Sequence, residues 1–139
     1  MKQITPYLFF GGNCKEAMTF YNECFDGKLS IMKVSDSPEV AKVTPDKMDA
    51  VMHAAIMKDG QLMLMASDTM MPGQTAEMGE GVYNTILCSS KEEIEMLFAK
   101  LSVSGKINMP LEQAFFGFFG SLTDKFGTKW MLEFDVPQE

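Results

Sequence analysis

Apolar and polar positions alternate along this chain in a pattern that is written twice. Ile4 to Phe10 is a short β-rich run closed by Gly11-Gly12. Asn13 is a plausible N-cap, and Ala17, Phe20, Tyr21 and Cys24 then follow a helical period up to Phe25, with Gly27 as the stop. Lys28 to Val34 reads as a strand, and Ser35 to Asp49, holding Pro38 and Pro45, as a loop. Ala50 to Met57 and Gln61 to Ala66 flank Lys58-Asp59-Gly60, and Asp-Gly between apolar runs predicts a tight hairpin. The order is therefore β-α-β-β-β.

After a linker, the order returns. Val82 to Cys88 is a strand; Ser90 and Glu93 have the spacing of a capping box; Ile94, Leu97, Phe98 and Leu101 form an apolar helical stripe. Gly105 to Met109 starts a strand, and Ala114 to Leu122 and Thr128 to Phe134 flank a second glycine hairpin at Asp124–Gly127. Laid back by 78 positions, Val82 to Asn108 falls on Ile4 to Ser30 without a gap, placing Met96 on Met18, Phe98 on Phe20, Gly105 on Gly27 and Lys106 on Lys28. Two copies with apolar sheet faces should pair and bury them. The expected fold is α+β: two βαβββ modules in a pseudo-twofold arrangement, a curved mixed sheet enclosing a cleft, and helices outside. Residues 1–139 are expected to form one domain, with modules at 1–67 and 82–139 and a linker at 68–81.

Charge and composition narrow the partners. A formal charge of −7 without a basic cluster would repel a phosphate backbone, so nucleic acid is not expected. No apolar run reaches the roughly 20 residues of a membrane span. The opening MKQITPYLFF lacks the apolar core of a secretory signal, so the expected compartment is the cytoplasm. Cys14, Cys24 and Cys88 form no CxxC and read as reduced thiols, with Cys88 as core filling. Fourteen methionines are many, and Met63, Met65, Met70, Met71 and Met78 crowd one region. Thioethers fill irregular interiors and also line adaptable pockets; core packing is the plainer expectation.

The stretches PYLFFGGNCKEAMTFY, VMHAAIMKDGQLMLMASD and INMPLEQAFFGFFGSLTDKFGTKWML carry a resemblance. With the duplicated plan, they make the chain resemble the vicinal oxygen chelate superfamily of glyoxalase I, extradiol dioxygenases and antibiotic-resistance proteins. Within it the chain looks like the PhnB-like, demethylubiquinone methyltransferase-like group. The resemblance implies ligand positions on the first and last strands of each module. Carried over, these fall on Pro6 and Asn84, and on Leu64 and Met131, with Glu133 on the same sheet face as Met131. Such a set is thin for a divalent ion, so no metal and no cofactor are expected.

Several side chains remain as pocket candidates. His53, the sole histidine, is the group that titrates nearest neutrality, against which stands a partly buried ring satisfied by a backbone carbonyl. Asn84 and Glu133 could bond a polar substrate group, Met131 would line the cleft, and Phe116 belongs to a concentrated set with Phe115, Phe118 and Phe119 in which alternate rings face the core. Asp124 is expected to shape its turn and Trp130 to pack under a helix. No GxGxxG follows Gly11-Gly12, so a methyltransferase of the nucleotide-binding kind has no support. The expected function is metal-free binding of an apolar or aromatic small molecule by a homodimer. The alternative is a metal-dependent lyase, isomerase or dioxygenase acting on vicinal oxygens; a third reading is a structural or regulatory dimer without a ligand.

Overall fold

The computed structural model describes residues 1–38, 45–70 and 73–135. They fall into two compact units, Met1–Glu77 and Met78–Glu139, each built as β-α-β-β-β. The first unit has β1 (Tyr7–Phe10), α1 (Cys14–Phe25), β2 (Lys28–Lys33), β3 (Val51–Lys58) and β4 (Gln61–Asp68). The second has β5 (Asn84–Leu87), α2 (Lys91–Leu101), β6 (Lys106–Ala114), β7 (Gly117–Thr123) and β8 (Lys129–Asp135). Strand order is β1-β4-β3-β2 in one sheet and β5-β8-β7-β6 in the other, with β1 and β5 parallel to their neighbours. The expected α+β fold of two βαβββ modules is therefore the observed one. Met71, named above, lies outside the described residues, as does 39–44 of the middle loop.

Each sheet buries one face under its own helix. The stripe Cys14, Ala17, Met18, Tyr21 and Cys24 packs α1 onto β2, β3 and β4 over Ala54, Ile56, Leu64 and Ala66. In the second unit Ile94, Leu97, Phe98 and Leu101 pack α2 onto β7 and β8 over Leu122, Trp130 and Leu132. Full burial of one such aliphatic or aromatic side chain contributes about 1.5–3 kcal/mol, so each stripe outweighs the weak intrinsic stability of a helix this short. Trp130 lies under α2, as its parity predicted.

The helix ends depart from the sequence reading. Asn13 stands at the start of α1 but its side chain caps nothing. The cap comes from the far end of the unit: Asp68 Oδ1 accepts from the backbone N–H of Gly12 and of Cys14, each at 3.0 Å, and Oδ2 accepts from Val51 N at 2.9 Å. Asp68 is buried. Ser90 caps α2 as expected, accepting from Glu93 N, while the Glu93 carboxylate reaches Ser89 N rather than the cap residue's own N–H.

Gly27 does not supply the left-handed helix stop; Asp26 does, at φ 54°. The glycine is needed because β3 runs so close that a Cβ there would meet the Met57 carbonyl at 2.8 Å. The second unit repeats both features: Ser104 is left-handed at φ 59°, and a Cβ on Gly105 would meet the Thr123 carbonyl at 2.4 Å. The repeated glycine marks a close strand approach.

The hairpins differ in size. Asp59 and Gly60 both have positive φ in the two-residue β3–β4 turn, as an Asp-Gly turn requires. Between Thr123 and Lys129 the loop is longer, and Asp124 shapes it by accepting from Phe126 N, Thr128 N and Trp130 Nε1. The run expected as one strand from Ala114 is instead broken: Phe115 and Phe116 are the turn joining β6 to β7. Among the described residues no helix is long and apolar enough to cross a membrane.

Candidate functional site

The sheet faces turned away from the helices carry the candidate chemistry, and each unit has one. In the first unit Tyr7 pairs in register with Met65, Met65 with Ala55, and His53 with Met32. Strand alternation puts Tyr7, Phe9, His53, Ala55, Met65 and Met32 on this open face. Tyr7 and Phe9 have ring centroids 5.1 Å apart, and Tyr7 and His53 5.8 Å. The Tyr7 side chain leans across β4 so that its hydroxyl lies 3.2 Å from His53 Nδ1. Phe9, Met32 and Met63 are each more than two-fifths exposed. This is an aromatic and thioether surface with one hydrogen-bonded polar pair inside it.

Here the methionine expectation is corrected. Among the described methionines only Met18 is buried. Alternation along β2, β3 and β4 sends Met32, Met57, Met63 and Met65 away from the helix, so they cover the open face instead of filling the core.

In the second unit the open face holds Thr85, Met131, Glu133, Phe119 and Ser121, joined by the register Thr85–Met131–Ser121 and Leu87–Glu133–Phe119. Met131 and Glu133 thus share a face, as parity predicted, and both are half-buried. Asn84 does not join them: it pairs with Trp130 and falls on the helix-covered side. Phe116 is parted from both faces by its place in the turn, edge-on to Phe115 with centroids 5.3 Å apart. His53 belongs to the other unit's sheet.

Register also shifts the carried-over ligand positions. The parallel pairs Tyr7–Met65 and Thr85–Met131 are equivalent, so Met131 corresponds to Met65 and Leu64 to Trp130. Counting from the hairpin glycine misses by one because the equivalent methionine stands five residues past Gly60 but four past Gly127, the register shift at Ile56/Met57 placing an extra residue, Met63, in β4. The first-strand positions that reach the open faces are Tyr7 and Thr85, one later than Pro6 and Asn84. A phenol, a threonine hydroxyl and two thioethers do not match the imidazole and carboxylate donors a divalent ion takes at such a site. Among the described residues no three His, Cys, Asp or Glu side chains gather closely enough to hold a metal ion.

Cys14 and Cys88 are held as neutral thiols. Burial, with the Asp68 carboxylate adding to it, pushes the Cys14 thiol up to about 12. Burial and then Glu93 push Cys88 up to about 11. Neither is poised as a nucleophile.

Tyr7, Phe9 and Asp68 were not singled out from the sequence. The signal for the first two was present: a strand apolar at every position, YLFF, has rings for both faces. For Asp68 it was a carboxylate ending an apolar strand, LMLMASD.

Residues 2–133 match the family described as 3-demethylubiquinone-9 3-methyltransferase. Protein PA1353 from Pseudomonas aeruginosa is 37% identical, covering 97% of this chain and 98% of its own, with a TM-score of 0.85. The structure described as a putative 3-demethylubiquinone-9 3-methyltransferase, PhnB protein, from Bacillus cereus is 32% identical, with coverage of 96% and 99% and a TM-score of 0.72. A glyoxylase/bleomycin resistance protein/dioxygenase domain from Frankia sp. EAN1pec shares the fold at 12% identity, with coverage of 98% and 99% and a TM-score of 0.68.

Proposed function

Since the chain belongs to the 3-demethylubiquinone-9 3-methyltransferase family, the PhnB-like branch of the glyoxalase fold, we propose that it binds an apolar or aromatic small molecule without the superfamily's usual metal. The open face of the first unit carries this reading. Tyr7, Phe9 and the surrounding methionines offer ring and thioether contact, and the Tyr7–His53 pair offers one polar group to orient a ligand. The reading keeps a cytoplasmic homodimer as its setting, and the charge of −7 argues against nucleic acid as a partner.

The test is equilibrium binding of a panel of flat aromatic compounds to the wild type and to Tyr7→Ala. Loss of one stacking contact should weaken binding about tenfold, since such a pair is worth about 0.5–1.5 kcal/mol beyond its area. A panel that binds Tyr7→Ala and wild type equally, or binds neither, would sink the reading.

A second reading has one observation behind it. The Tyr7–His53 hydrogen bond is an arrangement fit for moving a proton, as a lyase or isomerase needs. It predicts turnover that His53→Gln abolishes while ligand affinity stays. The metal-dependent form of that alternative finds no fitting donor set on either open face.

A further inference from the structure

The second unit holds a hollow of about 680 Å³ that the reading above does not use, lined by Glu80, Tyr83, Lys106, Asn108, Thr123 and Lys129 among others. Lys106, Thr123 and Lys129 lie in one row across β6, β7 and β8, paired directly in register on one sheet face. Thr123 Oγ1 accepts from Asn108 Nδ2 at 2.9 Å and from Lys129 Nζ at 3.3 Å. Two donors occupy the hydroxyl's two lone pairs, so its own hydrogen is left to donate outward. Lys129 spends one of its three N–H groups on Thr123, and Lys106 stands on the other side of that hydroxyl.

Asn108 reaches Thr123 from the register shift between Ile107 and Met109, where it is the extra residue of a bulge. The lining also contains two carboxylates. Asp124 is turned inward onto Phe126 N, Thr128 N and Trp130 Nε1, which leaves Glu80 as the acid competing for the lysines. Nor is the row a plain product of the repeat. At the equivalent place in the first unit Lys28 faces Met57, and Met57 faces Leu62. The lysine is repeated, but the hydroxyl and the second lysine occur in the second unit alone. A row of two lysines and a hydroxyl in a chain of charge −7 is the reverse of its average surface.

We propose that Lys106, Thr123 and Lys129 form a binding site for a small oxyanion, the phosphate or carboxylate group of a soluble ligand. Three converging donors, two of them cationic, match such a group's acceptor oxygens. The site stands apart from the aromatic face of the first unit and does not depend on the function proposed for it.

The test titrates inorganic phosphate, and separately acetate, into the full chain at low ionic strength, following backbone amide resonances. Saturable shifts confined to residues 104–108 and 123–129 are expected, with the stronger of the two probes identifying the group. Lys129→Gln and Thr123→Val should each weaken the response about tenfold, the ratio set by one lost charge-assisted bond. Lys106→Gln, at an exposed position, serves if Thr123→Val fails to fold, and Lys91→Gln on α2 should leave the titration unchanged. Shifts that Lys129→Gln or Lys106→Gln leaves intact, or no saturation with either probe at tens of millimolar, would overturn the site.

Discussion

Asp68 shows how much one side chain holds. Its carboxylate accepts three backbone N–H groups from three segments: the glycine turn, the start of α1 and the start of β3. Replacing it by Asn trades one charged acceptor oxygen for a donor facing an N–H, and a buried group left so mismatched costs about 1–3 kcal/mol, more where charge is lost. Asp68→Asn is expected to lower the unfolding free energy by about 2–4 kcal/mol in urea titrations, whereas Asn13→Ala, at a cap position whose side chain bonds nothing, should change it little. The thiols give a second expectation. Their folded values lie above the ordinary 9.0, so the folded state holds these protons more tightly than the unfolded one. The stability they contribute is complete below pH 9.0 and falls as pH rises toward 11 and 12. Denaturant midpoints at mildly alkaline and strongly alkaline pH should show this fall, and it should shrink in Cys14→Ala. In the folded state at pH 8, Cys14 should resist alkylation.

At the scale of elements, the repeated glycine is the sharpest case. Gly27 and Gly105 directly precede β2 and β6, and each lets the neighbouring backbone approach to a distance that a Cβ would violate. Gly27→Ala and Gly105→Ala should each destabilise by about 1–3 kcal/mol, the usual range for a forced overpacking, as measured by urea unfolding. Gly11→Ala, where an added Cβ meets nothing nearer than 3.9 Å, is the control and should stay near wild type. Sequence comparison of the two halves found both glycines and read Gly105 as a strand start, but gave Gly27 the task of ending its helix. It could not see that Asp26 had already made that turn, or that a neighbouring carbonyl crowds each glycine. The two-residue turn at Phe115–Phe116 escaped for a related reason: neither residue is a turn former by type, and pairing of Ala114 with Gly117 alone reveals it.

For the whole molecule, the open faces are the dominant fact. Tyr7, Phe9, Met32, Met57 and Met63 in one unit, and Leu87 and Met109 in the other, are exposed apolar side chains on sheet surfaces. Surfaces of this kind are commonly covered by a partner or a ligand. The expected particle is a homodimer, twice the 15.5 kDa of one chain, and sedimentation velocity at micromolar concentration checks it. A monomer would instead leave these apolar side chains open to environment-sensitive dyes.

What the sequence determined by itself was periodicity. Helical and strand spacing, the Asp-Gly turn, the capping Ser90 and the copy 78 residues along are all local relations between neighbours in the chain, and the βαβββ plan follows from them. Which residues meet was decided only by tertiary structure, because strand register is a relation between distant segments. A slip of one residue moves a side chain to the other face of a sheet. That slip parts Asn84 from Met131, puts Tyr7 rather than Pro6 beside His53, and brings Lys106, Thr123 and Lys129 into one row.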